Sequence, residues 1–159
     1  MSERMNYFSA APEGLNIMLD MERYIASCCE PGGSLERPLL ELVKIRISQI
    51  NGCAFCLDMH TKEARADSET EQRLYGLSAW RDTPYYTEKE RVALGWAEAN
   101  TLAAQQDVSD ELYQQIREHF SEKALMDLTL AIVQINSWNR IAKSFKPAVG
   151  AYQAGSLKL

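Results

Sequence analysis

No basic surplus, no long apolar run and no sustained alternation of apolar and polar residues occurs in this sequence, and each absence removes a class of protein. The formal charge is -5 at pH 7 and the pI about 5.1. Nucleic acid and anionic membrane surfaces both need a cationic footprint, so neither is expected as a partner. The longest uncharged stretch of the C-terminal half, residues 128–139, includes Thr129, Gln134, Asn136 and Ser137 and is too short to cross a bilayer. Ser2-Glu3-Arg4 places charges of both signs ahead of any apolar run, and no short apolar region with a small-residue cleavage site follows. A cytoplasmic location is therefore expected. Missing alternation argues against a sheet, and with it against a thioredoxin-type βαβ unit.

What is present is a globular composition, 46% hydrophobic and 25% charged over 159 residues. That is enough for one hydrophobic core, and a single domain spanning 1–159 is expected. Apolar residues recur at three- and four-residue spacing nearly throughout, which predicts an all-α chain. A first helix is expected over about 13–29, stopped by Pro31-Gly32-Gly33, and a second from Ser34 to about Gln49 with Pro38 in its first turn. Asn51-Gly52 breaks the pattern before a third helix that runs from near Cys53 to about Ala66. Shorter helical pieces are expected between Glu69 and Trp80. Thr87-Glu88-Lys89-Glu90 reads as a capping box for a helix ending near Ala103, and Ser109 and Ser121 read as N-caps. The last of these opens a long helix through Ser144, with Pro147 and Gly150 beyond it. Ile47-Ser48-Gln49-Ile50-Asn51 and Ile132-Val133-Gln134-Ile135-Asn136 agree at four of five positions, a short internal echo.

Four cysteines, Cys28, Cys29, Cys53 and Cys56, do not read as a disulfide framework in a reducing compartment. A close pair there points to redox chemistry or metal. On a helix, Cys53, Cys56 and His60 stand at i, i+3 and i+7, so all three are expected on one face, around one pocket. Cysteines three apart can close a disulfide at the usual Cα spacing of roughly 5.5 Å. A helix start and a nearby imidazolium both lower a thiol pKa. The first favours Cys53 as nucleophile and the second favours Cys56, and the choice stays open on these grounds. Glu41, twelve residues before Cys53 among Leu39, Leu40, Leu42 and Val43, is a carboxylate in need of a partner. If the chain folds back at Asn51-Gly52, Glu41 lies roughly 15 Å and His60 roughly 12 Å from the turn, so the two can meet across an antiparallel helix pair. A Glu-His-Cys proton relay would result.

Glu41, then Cys53-Ala54-Phe55-Cys56 and His60, resemble the AhpD-like alkylhydroperoxidase branch of the carboxymuconolactone decarboxylase family. The resemblance spans about 36–143 and is densest over 41–64. It implies a compact helical AhpD-like fold with a central antiparallel helix pair carrying the CxxC motif, assembled as homotrimers or homohexamers. It also implies a thiol peroxidase that acts on an organic hydroperoxide or hydrogen peroxide, with Cys56 attacking the peroxide, Cys53 resolving, and Glu41 and His60 as the relay. The external reductant would be a dithiol, in the best-known relatives a lipoylated protein. No metal or organic cofactor is called for. Two positions depart from the family pattern: Phe55 stands where the best-known member has a histidine, and Ala64-Arg65-Ala66-Asp67-Ser68 lacks the glycine that ends this helix in relatives.

Three rival readings stand beside it: a redox-sensing or binding protein that keeps the thiol pair but turns over little peroxide, a structural zinc site from Glu41, Cys53, Cys56 and His60, or a lactone decarboxylase whose activity would survive loss of both thiols. Zinc is disfavoured because its ligands would fall on two helices rather than on loops. The cysteine pair speaks against the decarboxylase. Cys28 and Cys29 are expected as buried apolar side chains, His119 as a surface residue near a helix end, and Trp138 and Asn139 as packing with a buried amide hydrogen bond.

Overall fold

A computed structural model describes residues 4–156. Residues 1–3, which carry part of the leader reading, and residues 157–159 lie outside the described residues. The described residues form helices joined by turns: α1 (Tyr7–Ala10), α2 (Pro12–Ser27), α3 (Arg37–Asn51), α4 (Ala54–Ala66), α5 (Glu71–Gly76) running into a 3-10 segment (Leu77–Asp82), α6 (Glu88–Thr101), α7 (Asp110–Arg117) and α8 (Glu122–Phe145). The all-α expectation holds. α1 escaped the sequence reading because four residues carry no measurable period. None of the described helices is long and apolar enough to cross a membrane.

Helix boundaries follow local chemistry. The Thr87/Glu90 capping box forms, and Ser109 and Ser121 cap α7 and α8 through their hydroxyls. After α2 the chain reverses so tightly that a Cβ on Gly33 would sit 2.1 Å from the Cys28 carbonyl oxygen, so the turn admits only glycine. Proline in the first turn of α3 fits its fixed φ and missing N–H.

α3 is the axis of the molecule and packs against α4, α6 and α8. From Leu39 to Ile45 its residues are buried on every side, and Leu42, Val43, Ile45 and Ile47 are fully enclosed, the pattern of a helix segment that faces protein all round. At its end Gly52 adopts φ +64, and the Gly52 and Cys53 N–H groups donate back to the Gln49 and Ser48 carbonyls. This reversal, favoured by a glycine at the left-handed position, folds α4 back along α3. The same turn ends α4 without a glycine: Ser68 takes φ 72, while its N–H and that of Glu69 donate to Arg65 and Ala64. A non-glycine residue there costs about 1 kcal/mol.

The echoed pentapeptides lie on the packed pair α3 and α8. Asn51 Nδ2 donates to the side-chain oxygens of Asn136 and Asn139, both at 2.9 Å, and Asn139 Nδ2 donates to Ser48 at 3.1 Å. These bonds satisfy the buried amides and fix where the α3 turn sits against α8.

Candidate active site

Cys53 and Cys56 are joined as a disulfide with Cα atoms 5.4 Å apart. They do not occupy equivalent positions. Cys53 is the N-cap of α4, in extended backbone (φ -92, ψ 96), and its Sγ accepts the Cys56 N–H at 3.4 Å. Cys56 lies inside the first turn. The expectation that Cys53, Cys56 and His60 share one face needs correction, because i, i+3, i+7 spacing holds only within a helix and Cys53 precedes it. Cys56 and His60, four apart within α4, line one cavity, and Cys53 lines another.

Across from α4, α3 supplies Glu41. Its Oε2 lies 2.9 Å from His60 Nδ1, and both residues are buried. Burial opposes ionisation of Glu41, but the His60 charge and hydrogen bond, helped by Lys44 and Arg37, outweigh it and hold the carboxyl below its usual range. The carboxylate is therefore the acceptor, Nδ1–H the donor, and Nε2 the nitrogen left for proton exchange. The pair expected from similar heights above the turn is formed.

One turn further along α3, Lys44 is buried and donates to Glu22 Oε2 at 3.2 Å, and the other oxygen of Glu22 accepts from Trp138 Nε1 at 2.9 Å. Burial works against the Lys44 ammonium, but Glu22 and Glu41 raise its pKa above the ordinary value. This chain of contacts ties α2, α3 and α8 together. It also forms a polar strip in the wall of the cavity that Cys56 lines.

That cavity has a volume of about 510 Å³, and its apolar lining includes Phe8, Phe55, Met59 and Trp138. Phe8 of α1 stacks near Trp138 with ring centroids 6.4 Å apart. Tyr152, Gly155 and Ser156 of the C-terminal segment also line it. This segment is strapped to α4: Lys62 Nζ donates to the Gly150 and Tyr152 carbonyls at 3.0 and 2.9 Å, and Gly155 N–H donates to Glu63 at 2.9 Å.

Sequence reasoning did not single out Glu22 or Lys44, and it read Trp138 chiefly as packing; all three border the cavity. A signal existed for Glu22, a carboxylate on the helix face shared by Leu15 and Ile25, which demands a cationic partner. Cys28 is buried, but Cys29 is only half-buried, and both are free thiols. His119 is exposed. Among the described residues, no group of three or more His, Cys, Asp or Glu side chains is arranged to hold a metal ion.

Comparison with known proteins gives this arrangement a context. An uncharacterised Bacillus subtilis protein, YdfG, is 51% identical over 142 residues, which is 89% of this chain and 93% of that one. The crystal structure of a protein of unknown function from Agrobacterium tumefaciens, proposed to be the antioxidant defence protein AhpD, superposes with a TM-score of 0.88. It is 41% identical, covering 95% of this chain and 100% of that one. The debrominase Bmp8 shares the fold at 17% identity, with a TM-score of 0.79 over 91% of this chain and 75% of its own. Residues 12–99 match the sequence model of the carboxymuconolactone decarboxylase family. The chain belongs to that family, in its AhpD-like form.

Proposed function

We propose that the protein reduces organic hydroperoxides at Cys56, with Cys53 as resolving thiol and Glu41 and His60 as proton relay. One observation carries this reading: a disulfide-forming cysteine and a buried carboxylate–imidazole pair share the wall of a largely apolar cavity of about 510 Å³. A cavity of that volume is in the range of small-molecule sites and far exceeds what hydrogen peroxide needs. In the reduced protein, the Cys56 thiolate attacks the terminal peroxide oxygen and the O–O bond breaks. The departing alkoxide takes the His60 Nε2 proton, leaving Cys56 as a sulfenic acid. Cys53 thiolate then attacks the sulfenic sulfur, water leaves with a proton, and the disulfide forms. An external dithiol returns two electrons and two protons.

The test is steady-state consumption of cumene hydroperoxide and hydrogen peroxide with dihydrolipoamide as reductant. Faster turnover of the organic peroxide is expected, lost in both Cys56→Ser and Cys53→Ser. Absence of turnover with any dithiol overturns the reading and leaves a thiol switch, which Phe55 favours because it carries no proton at that position.

We further propose a cytoplasmic, single-domain protein that assembles as trimers or hexamers. Met126 and Val133, two turns apart on α8 and each more than half exposed, offer an apolar stripe for such an assembly.

A further inference from the structure

The two cysteines of the disulfide line different cavities. Cys56 borders the cavity that holds Glu41 and His60. Cys53 borders a separate one of about 590 Å³ at the α3–α4 turn, walled by Gly52, Ala54, Lys143, Lys146, Pro147 and Val149. Phe55 and Ala142 line both and form the partition between them.

We propose that this second cavity is the binding site for the dithiol reductant, so that oxidant and reductant reach one disulfide through opposite doors. The inference rests on the thiol–disulfide cycle proposed above. In thiol–disulfide exchange, the attacking sulfur approaches roughly along the S–S axis, from behind the sulfur it attacks. A thiolate that displaces Cys56 must therefore arrive on the Cys53 side, away from the peroxide cavity. Lys143 and Lys146 in the wall favour an anionic thiolate there.

The electron balance follows. The first reductant thiolate bonds to Cys53 Sγ, the Cys53–Cys56 bond breaks, and Cys56 leaves as a thiolate beside His60. The second reductant thiolate then attacks the reductant's own sulfur in the mixed disulfide, and Cys53 leaves. As the N-cap of α4, Cys53 Sγ accepts the Cys56 N–H, which stabilises the departing thiolate and makes it a good leaving group. The reductant ends as a disulfide, and the protein has gained two electrons and, after protonation, two protons. An extended arm carrying two neighbouring thiols fits the site. A bulky protein thiol without such an arm does not.

The experiment starts from protein oxidised with diamide, so it needs no peroxide activity. Brief reaction with 2-mercaptoethanol, acid quench and peptide mass mapping should place the adduct on Cys53; an adduct on Cys56 overturns the proposal. Ala148 and Val149 are exposed residues of the second cavity with no part in the relay. Ala148→Trp and, as a second variant, Val149→Trp should slow reduction of the disulfide by dihydrolipoamide about tenfold or more by denying the arm its approach. Oxidation of the pre-reduced variants by cumene hydroperoxide should stay within about twofold of the parent, since the chemistry in the first cavity is untouched. Unchanged melting curves identify the folded variants. Unslowed reduction in both variants, or equal slowing of both half-reactions, overturns the proposal. If the parent's thiols are not oxidised by peroxide, the peroxidase reading fails by itself, while the reduction rates still report on the port.

Discussion

Glu41 and Glu98 are both glutamates shut away from solvent against α3, and the protein gives them opposite environments. Glu98, on α6, accepts from Arg46 Nε at 2.7 Å and Trp80 Nε1 at 2.9 Å, and from Arg81. Burial raises its pKa, but these three hydrogen bonds outweigh that and hold it ionised. Its partners are a permanently charged pair and an indole, none of which gives up a proton near neutrality. It borders neither cavity. Glu41 instead has an imidazole, His60, as its hydrogen-bonding partner, and both face a cavity. Burial and ionisation are common to the two. A partner able to exchange protons, placed at a cavity wall, is what separates the carboxylate proposed as part of the relay from the one that only ties helices together.

The widest gap is expected on removing the charge at Glu41. Glu41→Gln should lower peroxide turnover about 10³-fold, roughly 4 kcal/mol of barrier, with little change in the urea midpoint. Retained turnover would erase the contrast. Glu98→Ala should do the reverse: it leaves two guanidinium groups and an indole N–H without their acceptor, and about 3 kcal/mol of stability should be lost. Turnover per folded molecule should remain.

Asp127 supplies a third case that sharpens the contrast through pH. Burial opposes its ionisation, but Lys123, Ser34 and Tyr24 bring its pKa down from 3.8 to about 2. A depressed carboxylate pKa contributes stability above the unfolded value, and that contribution fades as pH falls toward the folded value. Asp127→Asn should therefore cost about 2 kcal/mol near neutrality, with the deficit shrinking between about pH 4 and pH 2 in acid-unfolding curves. The smallest effect is expected at the partition. Phe55→His, which adds a proton carrier beside Cys56, should raise turnover about threefold. A fall would mean that the apolar wall matters more than the extra base.

Much of this site was legible in advance because it rests on short-range geometry. The Asn51-Gly52 break, the similar distances of Glu41 and His60 from it, and the three-residue cysteine spacing together foretold which side chains meet. The capping serines and the Thr87/Glu90 box placed helix starts for the same reason. Periodicity misplaced Cys53 because a cap residue leaves the helical path, and the face it occupies depends on the turn, not the spacing. Glu22, Lys44 and Trp138 come from three different helices, the last of them far along the chain, and their meeting depends on how α2, α3 and α8 pack. The missing glycine after α4 reflects a tolerance that sequence rules do not encode, since Ser68 simply adopts the left-handed turn.

The strap of Tyr152, Gly155 and Ser156 along the cavity that Cys56 lines has an evolutionary corollary. These residues line the chamber, are tied chiefly to α4, and are not part of the hydrophobic core. Substitutions there can redraw the outline of the molecule that fits while foldability stays where it was. On the proposed reading, the fit of a bound molecule and the stability of the bundle are thus written in separate stretches of the chain, and the first can change through the strap without a compensating change in the second.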